Sequence, residues 1–166
     1  NDIEDIIKTN NLNIEIANDN SPIQIVVSGL MHDIDSAKNI FLSSGLKRYV
    51  KLKVSAAFHS RHMLEAQNEL SKEIDRIAFN QTEIPIISNY DASINLDKIK
   101  IINALKNQMA NRVKWVDSVK KLEETEVNKI IEIGPGKVLS GLIKRISNNF
   151  TLFNINSIQD LYNFSN

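Results

Sequence analysis

Apolar positions along this 166-residue chain recur with two periods, and the order in which they do so sets the expected elements. Ile3, Ile6 and Ile7 share one helical face, predicting a short opening helix that ends near Thr9-Asn10-Asn11. Leu12, Ile14 and Ile16 alternate with polar residues as in a half-buried strand, and Asn18-Asp19-Asn20-Ser21-Pro22 reads as a turn. Ile25-Val26-Val27-Ser28-Gly29 is the next strand. Ile34, Ala37 and Phe41 mark a helix stopped by Gly45, and Val50, Leu52 and Val54, separated by Lys51 and Lys53, predict a further strand. Helix, strand, strand, helix, strand is a split βαβ unit of the ferredoxin-like type with its first strand absent. Natural domains avoid such an open edge, so residues 1–54 are expected to be an incomplete small subdomain, truncated at the front.

Beyond Ser60 the period changes. Met63, Ala66, Leu70, Ile74 and Ile77 recur at helical spacing, Ile84 to Asn89 is a short strand, and Asp97 is placed to cap a helix bearing Ile99, Ile102, Leu105 and Met109. Trp115, Val119 and Leu122 mark a second helix. Lys129 to Ile133 reads as a buried strand, Lys137 to Ile146 as a helix, and Thr151 to Ile155 as a last strand before a terminal helix. Strands separated by helices argue a mainly parallel sheet with covered faces over residues 55–166, and an α/β fold class.

Composition then narrows the chemistry. Twenty basic residues balance 20 acidic ones, which gives no electrostatic footprint for nucleic acid. There is no cysteine, so disulfides, thiolate nucleophiles and Cys-based zinc sites are excluded, in keeping with a reducing cytoplasm. No apolar run approaches the roughly 20 residues that span a bilayer. The three histidines, His32, His59 and His62, lack the i, i+4 spacing of a zinc helix, so no metal and no cofactor is expected. His59 stands out because it ends an alternating stretch where the chain turns into a helix, and side chains at such strand ends open into crevices. A neutral imidazole there can serve as a general base, although a packed histidine bonded to a carbonyl would read the same way. Gly134-Pro135-Gly136 before Lys137 lacks the spacing of a phosphate loop and reads as a structural turn. Lys137, Lys144 and Arg145 form a small basic surface.

Several segments in order carry a resemblance. Val54-Ser55-Ala56-Ala57-Phe58-His59-Ser60, Asn18-Asp19-Asn20-Ser21-Pro22-Ile23-Gln24, Ile84-Pro85-Ile86-Ile87-Ser88-Asn89-Tyr90-Asp91-Ala92, Gln108-Met109 with Val113-Lys114-Trp115, and Ile131 through Ile146 resemble the carboxyl-terminal half of malonyl-CoA:acyl carrier protein transacylases. The resemblance implies the carboxyl-terminal part of an α/β-hydrolase-like acyltransferase core joined to the small ferredoxin-like subdomain. It implies His59 as the base of a Ser-His dyad, Gln108 as the residue whose backbone carbonyl orients the ring, and Asn18 and Asn20 on a loop beside the site. Phe58 would favour unbranched malonyl groups. Malonyl-CoA and acyl carrier protein would be the substrates, in fatty acid synthesis. No Gly-x-Ser-x-Gly occurs in the chain, so the resemblance implies that the serine, with the arginine that pairs the malonyl carboxylate, lies upstream of Asn1 on an amino-terminal piece joined to this chain or assembled with it as a separate half. Arg61 and His62, Arg112 and Glu126 depart from the family's usual residues. The alternative is a non-catalytic remnant or a module that binds acyl carrier protein without acylating it.

Overall fold

A computed structural model describes residues 2–165. Asn1 and Asn166, the outer ends of the two expected units, lie outside them. Helix α1 (Asp2–Thr9) leads into an antiparallel hairpin of β1 (Ile14–Ser21) and β2 (Gln24–Gly29), and α2 (Met31–Ser43) follows. Gly45 ends that helix at φ 93°, a conformation that costs glycine little. The apolar faces of these elements meet in a core of Ile14, Ala37 and Phe41, with Ile3, Ile7 and Ile34 packed around it. Tyr49 stacks on Phe41 with ring centroids 5.8 Å apart, and its hydroxyl donates to the carbonyl of Ile34 at 2.7 Å. Burial first, and the charge of Asp35 second, raise the Tyr49 hydroxyl above its ordinary pKa.

Two expectations in this region are corrected. Asn18 to Ser21 is not a turn but the second half of β1, and the reversal is confined to Pro22-Ile23. A register shift between Ile16 and Asn18 breaks the strict alternation, so that consecutive Ile16 and Ala17 are both buried. Polar composition suggested a loop, and pairing with β2 overrode it. The strand expected over residues 50–54 is also absent, and Val50, Leu52 and Val54 are 54%, 54% and 58% exposed. Alternation supplies the side-chain pattern of a strand, but a strand exists only with a ladder partner, and none lies beside it among the described residues.

Downstream, a 3₁₀ turn (Arg61–Met63) opens α3 (Leu64–Asp75). A short antiparallel hairpin pairs β3 (Ile86–Ile87) with β4 (Ile94–Asn95). Asp97 caps α4 (Lys98–Asn107), its Oδ1 accepting from the amides of Ile99 and Lys100 at 2.8 and 3.1 Å. The remaining elements are α5 (Trp115–Glu123), β5 (Lys129–Ile133), α6 (Val138–Ile146), β6 (Thr151–Ile155) and α7 (Ile158–Ser165). β5 and β6 pair in parallel from Lys129 opposite Thr151 to Ile133 opposite Ile155.

The class is α/β, yet the mainly parallel sheet with covered faces is corrected. The described strands form three two-stranded sheets, of which only β5–β6 is parallel. β5, expected to be buried, leaves Ile131 and Ile133 at 39% and 78% exposure. An apolar run of this kind suits a strand covered on both faces, and no second strand pairs its other edge among the described residues. Helices α5 and α6 pack against β1, so this strand serves both parts of the chain.

Candidate active site

Three segments converge on His59. The first is its own corner. Ser60 is fully buried, its hydroxyl donates to the carbonyl of Ala57 at 2.7 Å, and its carbonyl accepts from the amide of Met63 at 2.9 Å. Closing the corner places His59 at φ 57°, a left-handed conformation that costs a side-chain-bearing residue about 1–2 kcal/mol. The His59 amide offsets part of that by donating to the carbonyl of Met109 at 3.1 Å.

The second segment is the turn after α4. His59 Nδ1 lies 3.0 Å from the carbonyl oxygen of Gln108 and 3.1 Å from that of Asn111. Carbonyl oxygens only accept, so Nδ1 carries the proton and shares it in a three-centre bond. In the neutral ring this leaves the lone pair on Nε2, which has no hydrogen-bond partner among the described residues. Such a nitrogen can accept a proton from a hydroxyl or thiol brought to it.

The third segment is β1, which carries the turn. The Val113 amide donates to the carbonyl of Ala17 at 2.8 Å and the Val113 carbonyl accepts from the Asp19 amide at 2.9 Å, forming a parallel bridge between Asn18 and Val113. The Lys114 amide reaches the carbonyl of Asn89, next to the β3–β4 turn, at 2.8 Å. Arg112 extends from the same segment to Glu4 on α1 and Asp19 on β1, both at 2.7 Å. On the other side of the corner, Arg61 Nε pairs Glu15 of β1 at 3.1 Å, and the Arg61 amide donates to the same carboxylate at 3.0 Å.

The sequence candidates therefore divide. His59 and the Gln108 carbonyl are in contact, and Asn18 lies on the strand that holds the turn, engaged through its backbone. Asn20 sits further along β1 with no hydrogen bond to His59. Phe58, directly before the histidine, is 46% exposed rather than packed in a core. Four further residues were not expected at the site. Asn111 supplies a second carbonyl, visible only in backbone geometry. Gln67 on α3, 7% exposed, accepts from the amide of Ala110 at 2.8 Å. Its signal was present, because a polar residue four positions after Met63 and three before Leu70 falls on the apolar stripe of that helix. Arg112 and Arg61 stood only as departures from a pattern, yet both are built into ion pairs.

Ser60, next to the histidine, does not complete a dyad, since it is buried with its hydroxyl committed to Ala57. A groove of about 240 Å³ between the β3–β4 hairpin and α4, lined by Ile86, Ile87, Ile101, Leu105 and Gln108, has no cation in its lining to pair a dicarboxylate's free carboxyl. Gly134-Pro135-Gly136 is pinned as a turn, the Gly134 amide donating to the carbonyl of Ile155 at 3.0 Å and the Gly136 amide to Asn156 Oδ1 at 2.8 Å. Arg145 donates to Gln24 Oε1 at 2.7 Å. No group of His, Asp and Glu among the described residues could hold a metal ion, and no helix among them is long and apolar enough to cross a membrane.

The polyketide biosynthesis malonyl CoA-acyl carrier protein transacylase BaeC of Bacillus velezensis is 41% identical over 150 residues, covering 88% of this chain and 51% of that protein. The crystal structure of malonyl CoA-acyl carrier protein transacylase from Clostridium perfringens superposes with TM-score 0.90 at 33% identity, covering 98% of this chain and 52% of its own. The chain is related to the carboxyl-terminal part of the malonyl-CoA:acyl carrier protein transacylases. It spans about half the length of the curated transacylases it matches. The chain also superposes on a solved structure of a type II PKS acyl-carrier protein in complex with its malonyl-transacylase, with TM-score 0.87 at 30% identity, covering 97% of this chain and 52% of that one. No protein-family model matches the chain.

Proposed function

We propose that this chain supplies the base-bearing part of a malonyl-CoA:acyl carrier protein transacylase, acting in the cytoplasm with an amino-terminal part that presents the nucleophilic serine. The observation that carries the reading is the free Nε2 of His59, left as a base by two carbonyls that hold the proton on Nδ1. In the proposed reaction Nε2 takes the serine hydroxyl proton as the oxygen attacks the malonyl thioester carbon. The imidazolium returns that proton to the departing CoA sulfur, leaving a malonyl ester on serine. The phosphopantetheine thiol of acyl carrier protein then gives its proton to Nε2 and attacks the ester, and the proton passes back to the serine oxygen. Gln108 acts through its backbone, Asn18 through the strand that carries the turn, and Phe58 borders the acyl group. Asn20 extends the same strand toward the site's rim. The units 1–54 and 55–166 would each be completed by the serine-bearing part.

Exposed apolar surface supports such an assembly. Val50, Leu52, Val54, Ile131, Ile133 and Val138 are all well exposed on segments whose pattern suits burial, and large apolar patches mark interaction surfaces. The ion pairs of Arg61 and Arg112 also favour a maintained protein over a decayed remnant, because these two departures from the family pattern have ion-pair partners.

The test is malonyl transfer from malonyl-CoA to acyl carrier protein, by this chain alone and with a serine-bearing amino-terminal half. Transfer in the mixture that disappears with His59→Ala is the expected result. Full transfer by the His59→Ala mixture overturns the assignment, and association of the halves without transfer favours a decayed or repurposed remnant.

A further inference from the structure

Gln67 sits on α3, away from the turn it touches, and its side chain is nearly inaccessible to solvent. Its Oε1 accepts from the Ala110 amide at 2.8 Å. That N–H belongs to the same peptide unit as the Met109 carbonyl, which accepts from the His59 amide at 3.1 Å. There is no cis peptide bond among the described residues, so the carbonyl and N–H of this unit point to opposite sides. The plane is thus clamped at both ends, by His59 on one side and Gln67 on the other. The carbonyls of Gln108 and Asn111, which flank this plane, are the two that hold His59 Nδ1.

We propose that Gln67 is a positioning residue for the His59 base: by fixing the Met109–Ala110 peptide plane it keeps the Gln108 and Asn111 carbonyls on the Nδ1 proton and so keeps the lone pair on Nε2. This inference rests on the catalytic reading of His59 for its consequence, but not for its physical content. A buried glutamine at a position that shares the helical stripe of Met63, Leu70 and Ile74 is otherwise a poor choice for the helix. The Ala110 amide it satisfies is buried and has no other acceptor among the described residues.

The test is long-range ¹H–¹⁵N NMR of the His59 ring in this chain, comparing the parent with Gln67→Met, which keeps the volume and removes the acceptor. The parent is expected to show a single tautomer with the proton on Nδ1, and Gln67→Met a mixture with the Nε2–H form. A folded Gln67→Met protein with an unchanged tautomer overturns the proposal, since loss of a merely structural bond would weaken the fold without redistributing the ring proton. If Gln67→Met does not fold, Gln67→Asn, one methylene too short to reach Ala110, is read by the same criterion. In the assembled transacylase Gln67→Met is expected to lower kcat with KM unchanged, by less than the roughly 10²-fold or more that loss of the base itself would cost. A parent assembly without transfer would remove the catalytic reading and leave the tautomer result standing.

Discussion

Glu132 on β5 accepts from Ser140 twice, from its amide at 2.8 Å and its hydroxyl at 2.6 Å, so the strand caps the helix that follows it. The same carboxylate accepts from the Leu139 amide at 2.9 Å and from Asn154 of β6 at 3.0 Å. These donors, the Ser140 hydroxyl foremost and opposed by some burial, hold the Glu132 carboxyl below its ordinary range. A depressed carboxylate contributes stability that is complete above its unfolded pKa and is lost as the pH falls through the folded value. Solvent screening discounts the effect at this accessible carboxyl, so Glu132→Gln is expected to lower stability by at most about 1 kcal/mol at pH 7, the size of a lost helix cap. The deficit should begin to shrink once the pH drops below the ordinary glutamate value of about 4.3 and should vanish as it falls through the lower folded value, where the parent also becomes neutral. Urea titrations of both proteins at pH 7 and pH 3.5 measure this, and a deficit that grows on acidification would contradict it.

In the assembled enzyme, His59→Ala is expected to reduce transfer at least 10²-fold, as loss of a general base does, whereas Gln108→Ala is expected to retain most of it. The Gln108 contact uses the main chain, which alanine preserves. Initial rates of malonyl transfer separate the two, and equal losses would show that the Gln108 side chain acts directly.

His59 occupies the left-handed region, so two substitutions that remove the imidazole should differ in stability. His59→Gly is expected to be more stable than His59→Ala by about 1 kcal/mol, against the usual order, because glycine adopts positive φ without a clash. Chemical denaturation of the pair decides it.

Arg112 bridges Glu4 and Asp19, each partner only partly exposed. Arg112→Ala is expected to cost about 1–3 kcal/mol, and a double-mutant cycle with Asp19→Asn should show coupling above about 0.5 kcal/mol. Additive losses would mean that the pair contributes by packing alone.

Residues 50–54 have the alternation of a strand and no ladder partner among the described residues. Their amides are expected to exchange freely in this chain and to become protected when a serine-bearing half is added. Hydrogen exchange read by mass spectrometry reports both states, and exchange unchanged on assembly would rule the segment out of the interface.

Where local pattern and local partner coincided, the sequence was readable. The Asp97 cap and the Gly45 stop both concern contacts within a few residues. Misreadings arose where the deciding partner is distant. Asn18 to Ser21 look like a turn by composition, yet β2 and Val113 hold them extended. Val50, Leu52 and Val54 look like a strand and stay unpaired. At His59 the alternating stretch and the turn into a helix were visible, and Gln67 stood out as a polar residue on an apolar stripe, but the Asn111 carbonyl and the peptide plane that Gln67 holds were not visible. A backbone carbonyl is the same in every residue, so nothing in the side-chain pattern marks which one will face an imidazole.

Because the imidazole is oriented by peptide planes, the turn from Gln108 to Asn111 is indifferent to many of its own side chains and intolerant of a change in length. A point substitution leaves every carbonyl where it was. One residue inserted or deleted would swing the Asn111 oxygen out of register with Gln108 and release the ring, so drift in spelling is permitted here and drift in spacing is not.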